Sequence, residues 1–82
     1  MIDNVILTID AEIRGISVDM ELPAQLPIGE LSPKLLETLK EIAPDSFRGV
    51  EKLSLIYNGT QLTENATLES EAIWDGNTLI VR

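Results

Sequence analysis

The sequence predicts an α+β domain in which a mixed sheet of four to five strands packs on one α-helix. Near both ends of the chain, apolar residues alternate with polar ones, as in strands with one wet face. Between these ends, apolar residues recur every three or four positions, as in a helix that covers a sheet. The length of 82 residues corresponds to one domain, residues 1–82, with a lean core.

The amino-terminal part predicts a β-hairpin. Its first strand, within residues 4–12, places Val5, Leu7 and Ile9 on one face. Ile6, Thr8 and Asp10 then lie on the other face, because successive side chains of a strand point to opposite sides. After a turn around Arg14 and Gly15, the segment ISVDMEL alternates more strictly and forms the second strand, with four apolar residues on one face: Ile16, Val18, Met20 and Leu22.

The middle of the chain predicts one helix. An apolar stripe follows spacings of three and four residues and consists of Ile28, Leu31, Leu35, Leu39 and Ile42. Pro33 lacks a backbone N–H and suits only a first helical turn, and Ser32 before it is a good N-cap. We therefore expect an irregular or 3₁₀ turn over residues 28–31 and regular α-helix over residues 33–42, which Pro44 terminates.

The carboxyl-terminal part predicts three short strands. Residues 53–57 and 60–62 flank the pair Asn58-Gly59, which suits a type I′ turn because both positions need positive φ. A long polar connection then leads to the last strand, residues 78–82, and Leu68 and Ile73 are its expected buried anchors. The order ββαββ with a final strand is that of the β-grasp, or ubiquitin-like, roll.

Composition narrows the classes of function. The net charge is −8 and the six basic residues are scattered, so nucleic acid and anionic membranes are not expected as direct partners. No apolar run is long enough for membrane insertion, and no signal peptide is recognisable, which favours the cytosol. The chain has neither Cys nor His, and no cofactor or metal ion is expected.

An enzyme is not expected either, because acid–base catalysis would need convergent carboxylates. The acidic residues of the first hairpin are Asp10, Glu12, Asp19 and Glu21, and we interpret them as a solvated face.

The segment from Leu55 to Val81, LIYNGTQLTENATLESEAIWDGNTLIV, resembles the second half of ubiquitin in the spacing of its elements. The first half, DMELPAQLPIGELSPKLLETL, is similar to the YukD/EsaB family, the small ubiquitin-like proteins of type VII (WXG100) secretion systems. It also resembles the ubiquitin-like domain of the membrane component EccD. Shared features are a strand that ends in Leu-Pro, a second proline before a leucine-rich helix, and an I-x-DG-x-x-L passage at Ile73–Leu79.

The resemblance implies a non-enzymatic adaptor that binds protein components of the secretion apparatus, or a second copy of itself, in the cytosol beside the membrane. One alternative is a bacterial ubiquitin-like modifier or carrier whose glycine tail is absent from the sequence. Conjugation requires a terminal Gly-Gly, and the sequence ends at Arg82 without it, so the adaptor is the preferred expectation. Thr60 stands where ubiquitin has a principal chain-linking lysine, so the formation of ubiquitin-type chains is not expected. Another alternative is a domain cut from an EccD-type membrane protein.

The expected binding site is the face of the sheet opposite the helix. Period-2 alternation places Ile6, Ile56 and Ile80 there, and we predict that they form one row, rimmed by Thr8 and Arg82. Ile56 matches the isoleucine at the centre of the docking face of ubiquitin. Trp74 beside a turn is either a lid over the core or an exposed aromatic anchor for a partner.

Overall fold

A computed structural model describes residues 3–82 and shows the predicted ubiquitin-like β-grasp, a five-stranded mixed sheet with one α-helix. The elements are β1 (Asn4–Ala11), a 3₁₀ turn (Glu12–Arg14), β2 (Ile16–Pro23), α1 (Ile28–Ile42), β3 (Leu55–Tyr57), β4 (Thr60–Gln61) and β5 (Thr78–Val81). The strand order is β2-β1-β5-β3-β4; β1 and β5 are parallel, and the other neighbouring pairs of this sheet are antiparallel. The first two residues of the predicted domain lie outside the described residues.

The core lies between α1 and one face of the sheet. The inward positions that alternation predicts for β1, β3 and β5 are buried, among them Val5, Leu7 and Leu79. The loop anchors Leu68 and Ile73 are fully buried, as predicted, and Phe47 joins them from the loop after α1. Along β2, Ile16, Val18 and Met20 are only partly buried, because this strand lies at the margin of the core.

The helix begins earlier than predicted. It is regular from Ile28 to Ile42, so Pro33 lies inside it and Ser32 is not its N-cap. The cause is tertiary: the N–H groups of Ile28 and Gly29 donate to the carbonyl oxygens of Ala66 (2.8 Å) and Glu64 (3.0 Å). These bonds satisfy amide groups that a helix start otherwise leaves unpaired. Local capping signals could not reveal this partner segment, because it lies more than thirty residues further along the chain.

The end of the helix also differs from the predicted stripe. Four of its five residues are buried, but Ile42 is 51% exposed. Since Ile42 keeps its angular position in the stripe, its exposure means that the last turn of α1 extends past the core. Leu36, outside the predicted stripe, is buried instead and widens the contact face of the helix.

The strands of the second half are shorter than predicted. β3 begins at Leu55 rather than at residue 53, although Ser54 still exchanges two backbone hydrogen bonds with Arg82, at 2.8 and 2.9 Å. The predicted turn is confirmed, since Asn58 and Gly59 have φ values of 54° and 81°. No helix within residues 3–82 has the length and apolar character that a bilayer crossing needs.

Candidate protein-binding surface

The face of the sheet opposite α1, called here the outer face, carries no covering element among residues 3–82. Its strands are held in one register by backbone pairing, and this register decides which outward side chains are neighbours. One line of cross-strand partners crosses all five strands. This central row consists of Ser17 on β2, Asp10 on β1, Ile80 on β5, Ile56 on β3 and Gln61 on β4.

Ile56 and Ile80 are direct cross-strand partners in the middle of the central row. Both are partly exposed; Ile80 lies between two buried residues, and Ile56 lies between the buried Leu55 and the partly buried Tyr57. Asp10 borders Ile80 on one side, and Gln61 borders Ile56 on the other. The pair is therefore a small apolar centre with polar groups at both ends.

The prediction of one row with three isoleucines is wrong for Ile6. The residue of β1 that pairs with Ile80 is Asp10, and Ile6 lies four positions earlier. At about 3.3 Å per residue this offset corresponds to about 13 Å along the strand. Alternation fixes the face on which a side chain lies, but it does not fix the parallel register between β1 and β5.

Ile6 belongs to a second exposed apolar region, the Ile6 corner, formed by Ile6 and the turn from Trp74 to Asn77. The backbone N–H of Ile6 donates to Asp75 Oδ1 (2.7 Å), and the carbonyl of Ile6 accepts from the N–H of Gly76 (3.0 Å). The side chains of Ile6 and Trp74 are 52% and 40% exposed. Trp74 is thus placed at the surface, and its role as an aromatic anchor stays a prediction.

The predicted rim residues lie on either side of the central row. Thr8 pairs with Thr78, and its hydroxyl donates to Asp19 Oδ1 (2.7 Å). Arg82 follows Ile80 by two positions, and its Nη2 lies 3.3 Å from Glu12 Oε1. Both members of that ion pair are about half exposed, so water and salt screen the attraction and leave Arg82 available to a partner.

Carboxylates dominate the outer face around the two strands of the first hairpin. Glu21 lies opposite Ile6, Asp19 opposite Thr8, and Asp10 opposite Ser17. The sequence predicts that these acidic residues form a solvated face. The strand register shows that two of them lie beside exposed apolar residues, Glu21 beside Ile6 and Asp10 beside Ile80. Among residues 3–82, no group of three or more acidic side chains could hold a metal ion.

Fold and surface together define a small ubiquitin-like domain of the β-grasp class, whose uncovered sheet face carries two partly exposed apolar regions. A family model described as "WXG100 protein secretion system (Wss), protein YukD" matches residues 4–81. The chain belongs to the YukD family. A search of curated protein sequences finds no match.

Solved structures with the same fold include domains of type VII secretion proteins. The ubiquitin-like domain of the Mycobacterium tuberculosis type VII secretion protein EccD1 superposes with a TM-score of 0.78 at 19% identity, covering 98% of each chain. The ubiquitin-like domain of EccD5 from Mycobacterium xenopi gives 0.77 at 23% identity, covering 96% of this chain and 92% of that one. At this identity the likeness shows the fold.

A third match lies within a much larger chain. A chain of the MycP5-free ESX-5 inner membrane complex, State II, gives a TM-score of 0.81 at 19% identity over 99% of the present chain. The present chain spans 21% of the length of that chain.

Proposed function

We propose that the chain is a non-enzymatic interaction module, an accessory or regulatory component of a type VII secretion system that acts in the cytosol at the inner face of the membrane. The observation that carries the proposal is the Ile56–Ile80 pair on the uncovered outer face. Membership of the YukD family supports the secretion context. The similar domain in an inner membrane complex supports a membrane-bound partner.

The proposed site works by burial of the central row against a partner. Ile56 and Ile80 are already partly buried against neighbouring strands. Their side chains therefore lose little further conformational freedom when a partner covers the rest of their surface. Apolar area removed from water contributes about 25 cal/mol per Å², and a polar rim adds orientation. Asp10 and Gln61 supply that rim along the row, and Arg82 supplies one positive charge.

The test is the substitution Ile56→Asp, with Ile42→Asp as its matched control. Both place a carboxylate at a position outside the core, but Ile42 lies at the end of α1, remote from the outer face. Binding is measured against the cytosolic domains of the secretion machine's membrane components, and function is measured as export of a WXG100 protein. Ile56→Asp should abolish both, whereas Ile42→Asp should leave both unchanged.

A thermal melt of each variant separates lost binding from lost folding. Normal export and unchanged binding by a folded Ile56→Asp variant would overturn the assignment of the central row. Equal losses in both variants would show that a general effect of the added charge, and not the outer face, is responsible.

A further inference from the structure

The two edges of the sheet differ in length. β4 forms one edge and has only two residues, Thr60–Gln61. β2 forms the other edge and has eight, Ile16–Pro23, paired with β1 without a bulge. An edge strand exposes unpaired backbone groups, and proteins commonly protect long ones with lysine, internal proline or bulges. β2 has no lysine, its proline is its last residue, and no strand within residues 3–82 pairs with its outer side.

The hydrogen bonds of β1 identify which backbone groups of β2 point outward. The N–H of Ala24 donates to the carbonyl of Asp3 (2.9 Å), so hydrogen-bonded pairs recur at every second position from there. In the register of the β1–β2 pair, Leu22, Met20 and Val18 therefore bond to β1. The N–H and C=O groups that point away from β1 are those of Ser17, Asp19 and Glu21. In agreement, the N–H of Thr8, which lies opposite Asp19, donates to Asn77 on the far side of β1 (3.0 Å).

Side chains on the two faces of β2 define what could lie beside it. On the helix side, Ile16, Val18 and Met20 are partly buried and leave apolar surface along the strand. On the outer face, Ser17, Asp19 and Glu21 are exposed, and two of the three are acidic. A strand added to this edge would place its alternate residues against an apolar row and an acidic row.

A second copy of the chain is a poor occupant of this edge. Two-fold antiparallel pairing centred on residue 19 would place Asp19 opposite Asp19, and like charges directly opposite each other destabilise a strand pair. Each copy also carries a net charge of −8. The acidic row thus disfavours self-pairing and favours a basic strand, because charge complementarity steers association and suppresses wrong partners.

We propose that the outer edge of β2 is a strand-addition site for an extended segment of a partner protein in which apolar and basic residues alternate. The partner's main chain would bond to the outward groups of Ser17, Asp19 and Glu21. Its apolar side chains would cover Ile16, Val18 and Met20, and its basic side chains would face the two carboxylates. Main-chain bonds supply affinity in this mode of recognition, and alternate side chains supply specificity. The site shares only Ser17 with the central row.

The test is a titration of the full 82-residue chain, followed by NMR, with a short peptide of alternating lysine and valine. A peptide of the same composition, with its lysines and valines in separate blocks, is the control. The alternating peptide should shift the amide signals of Ser17, Asp19 and Glu21 and slow their hydrogen exchange. The block peptide should bind at least about tenfold more weakly, because it cannot satisfy both faces at once.

Two pairs of variants separate backbone pairing from charge. Asp19→Pro removes an outward N–H that Asp19→Ala keeps, while both lose the bond from Thr8. Asp19→Pro should bind about fivefold more weakly than Asp19→Ala, as expected for one lost hydrogen bond. The double reversal Asp19→Lys with Glu21→Lys should abolish binding. Glu37→Lys with Glu41→Lys makes the same change in net charge on the exposed side of α1 and should leave binding intact.

Slow hydrogen exchange at the amides of Val18 and Met20 checks that each variant keeps the β1–β2 hairpin. If Asp19→Pro does not fold, the comparison of the two double charge reversals tests the proposal. Equal affinity for the two peptides, or equal loss in the two charge reversals, would reduce the effect to nonspecific attraction and overturn the proposal. So would signal changes centred on Ile56 and Ile80, or no binding at millimolar peptide.

Discussion

Aliphatic residues lie on both faces of the sheet, but their surroundings differ between the two faces. On the inner face, Val5, Leu7 and Leu79 are each no more than 1% exposed. On the outer face of the same strands, Ile6 is 52% exposed and Ile80 is partly exposed. Since β-branched and aliphatic residues favour strands on either face, their identity does not decide burial. The helix decides it, and the outer isoleucines remain free for a partner because the core does not need them.

The largest effect expected from this difference is at the helix surface that covers the inner face. Leu39→Ala should lower the free energy of unfolding by about 2 to 5 kcal/mol, because Leu39 is fully buried and its truncation leaves a cavity. Ile42→Ala on the same helix is the control and should change it by less than about 0.5 kcal/mol, as usual for surface positions. Denaturant unfolding of both variants measures the contrast.

The double variant Leu35→Ala with Leu39→Ala should not fold, because small domains have a total stability of only about 5 to 15 kcal/mol. A melt of Leu39→Ala that coincides with that of the parent chain would contradict the assignment of the stripe to the core. Equal destabilisation by Leu39→Ala and Ile42→Ala would contradict the exposure of the last helical turn.

A smaller effect on stability, of opposite sign, is expected at Pro33, on the helix that covers the inner face. Proline inside a helix lacks the N–H that would bond to the carbonyl four residues earlier, here that of Gly29, and costs about 3 kcal/mol relative to alanine. Proline also lowers the conformational entropy of the unfolded chain, which stabilises the folded state by up to about 1 kcal/mol. Pro33→Ala should therefore raise the stability by roughly 2 kcal/mol.

Thermal unfolding of Pro33→Ala distinguishes the two helix starts. If regular helix began at Pro33, as the local signals indicated, the proline would occupy a favourable first-turn position and its replacement would not stabilise the protein. Ser32→Ala is the companion variant. Ser32 Oγ donates to the carbonyl of Leu53 (3.3 Å) and caps nothing, so its loss should cost no more than one such hydrogen bond, about 1 kcal/mol.

The features that the sequence predicted correctly depend on local periodicity. Alternation assigned the inner and outer residues of β1 and β5, and the Asn58-Gly59 pair located its turn, because each signal lies within a few residues. The features that it missed depend on distant segments. The start of α1 depends on carbonyl groups of Glu64 and Ala66, and the neighbour of Ile80 depends on the parallel register of β1 and β5. Faces are therefore predictable from the sequence, and neighbours across a parallel pair are not.

The smallest effect tests this register directly, through a double-mutant cycle on the outer face. Ile56 and Ile80 are direct cross-strand partners, whereas Ile6 lies about 13 Å along β1 from the residue that pairs with Ile80. Cross-strand pairs contribute roughly 0.2 to 1 kcal/mol, and residues without shared contacts are additive within about 0.3 to 0.5 kcal/mol. Alanine substitutions at Ile56 and Ile80 should show a coupling energy near the upper end of the range for cross-strand pairs, about 1 kcal/mol.

The matched cycle replaces Ile6 and Ile80 by alanine and should be additive within error, in the same buffer and with the same denaturant series. A coupling between Ile6 and Ile80 as large as that between Ile56 and Ile80 would mean that the three isoleucines are neighbours and that the central row is misassigned. Additivity in both cycles would show that Ile56 and Ile80 do not touch, and would remove the apolar centre on which the proposed docking site depends.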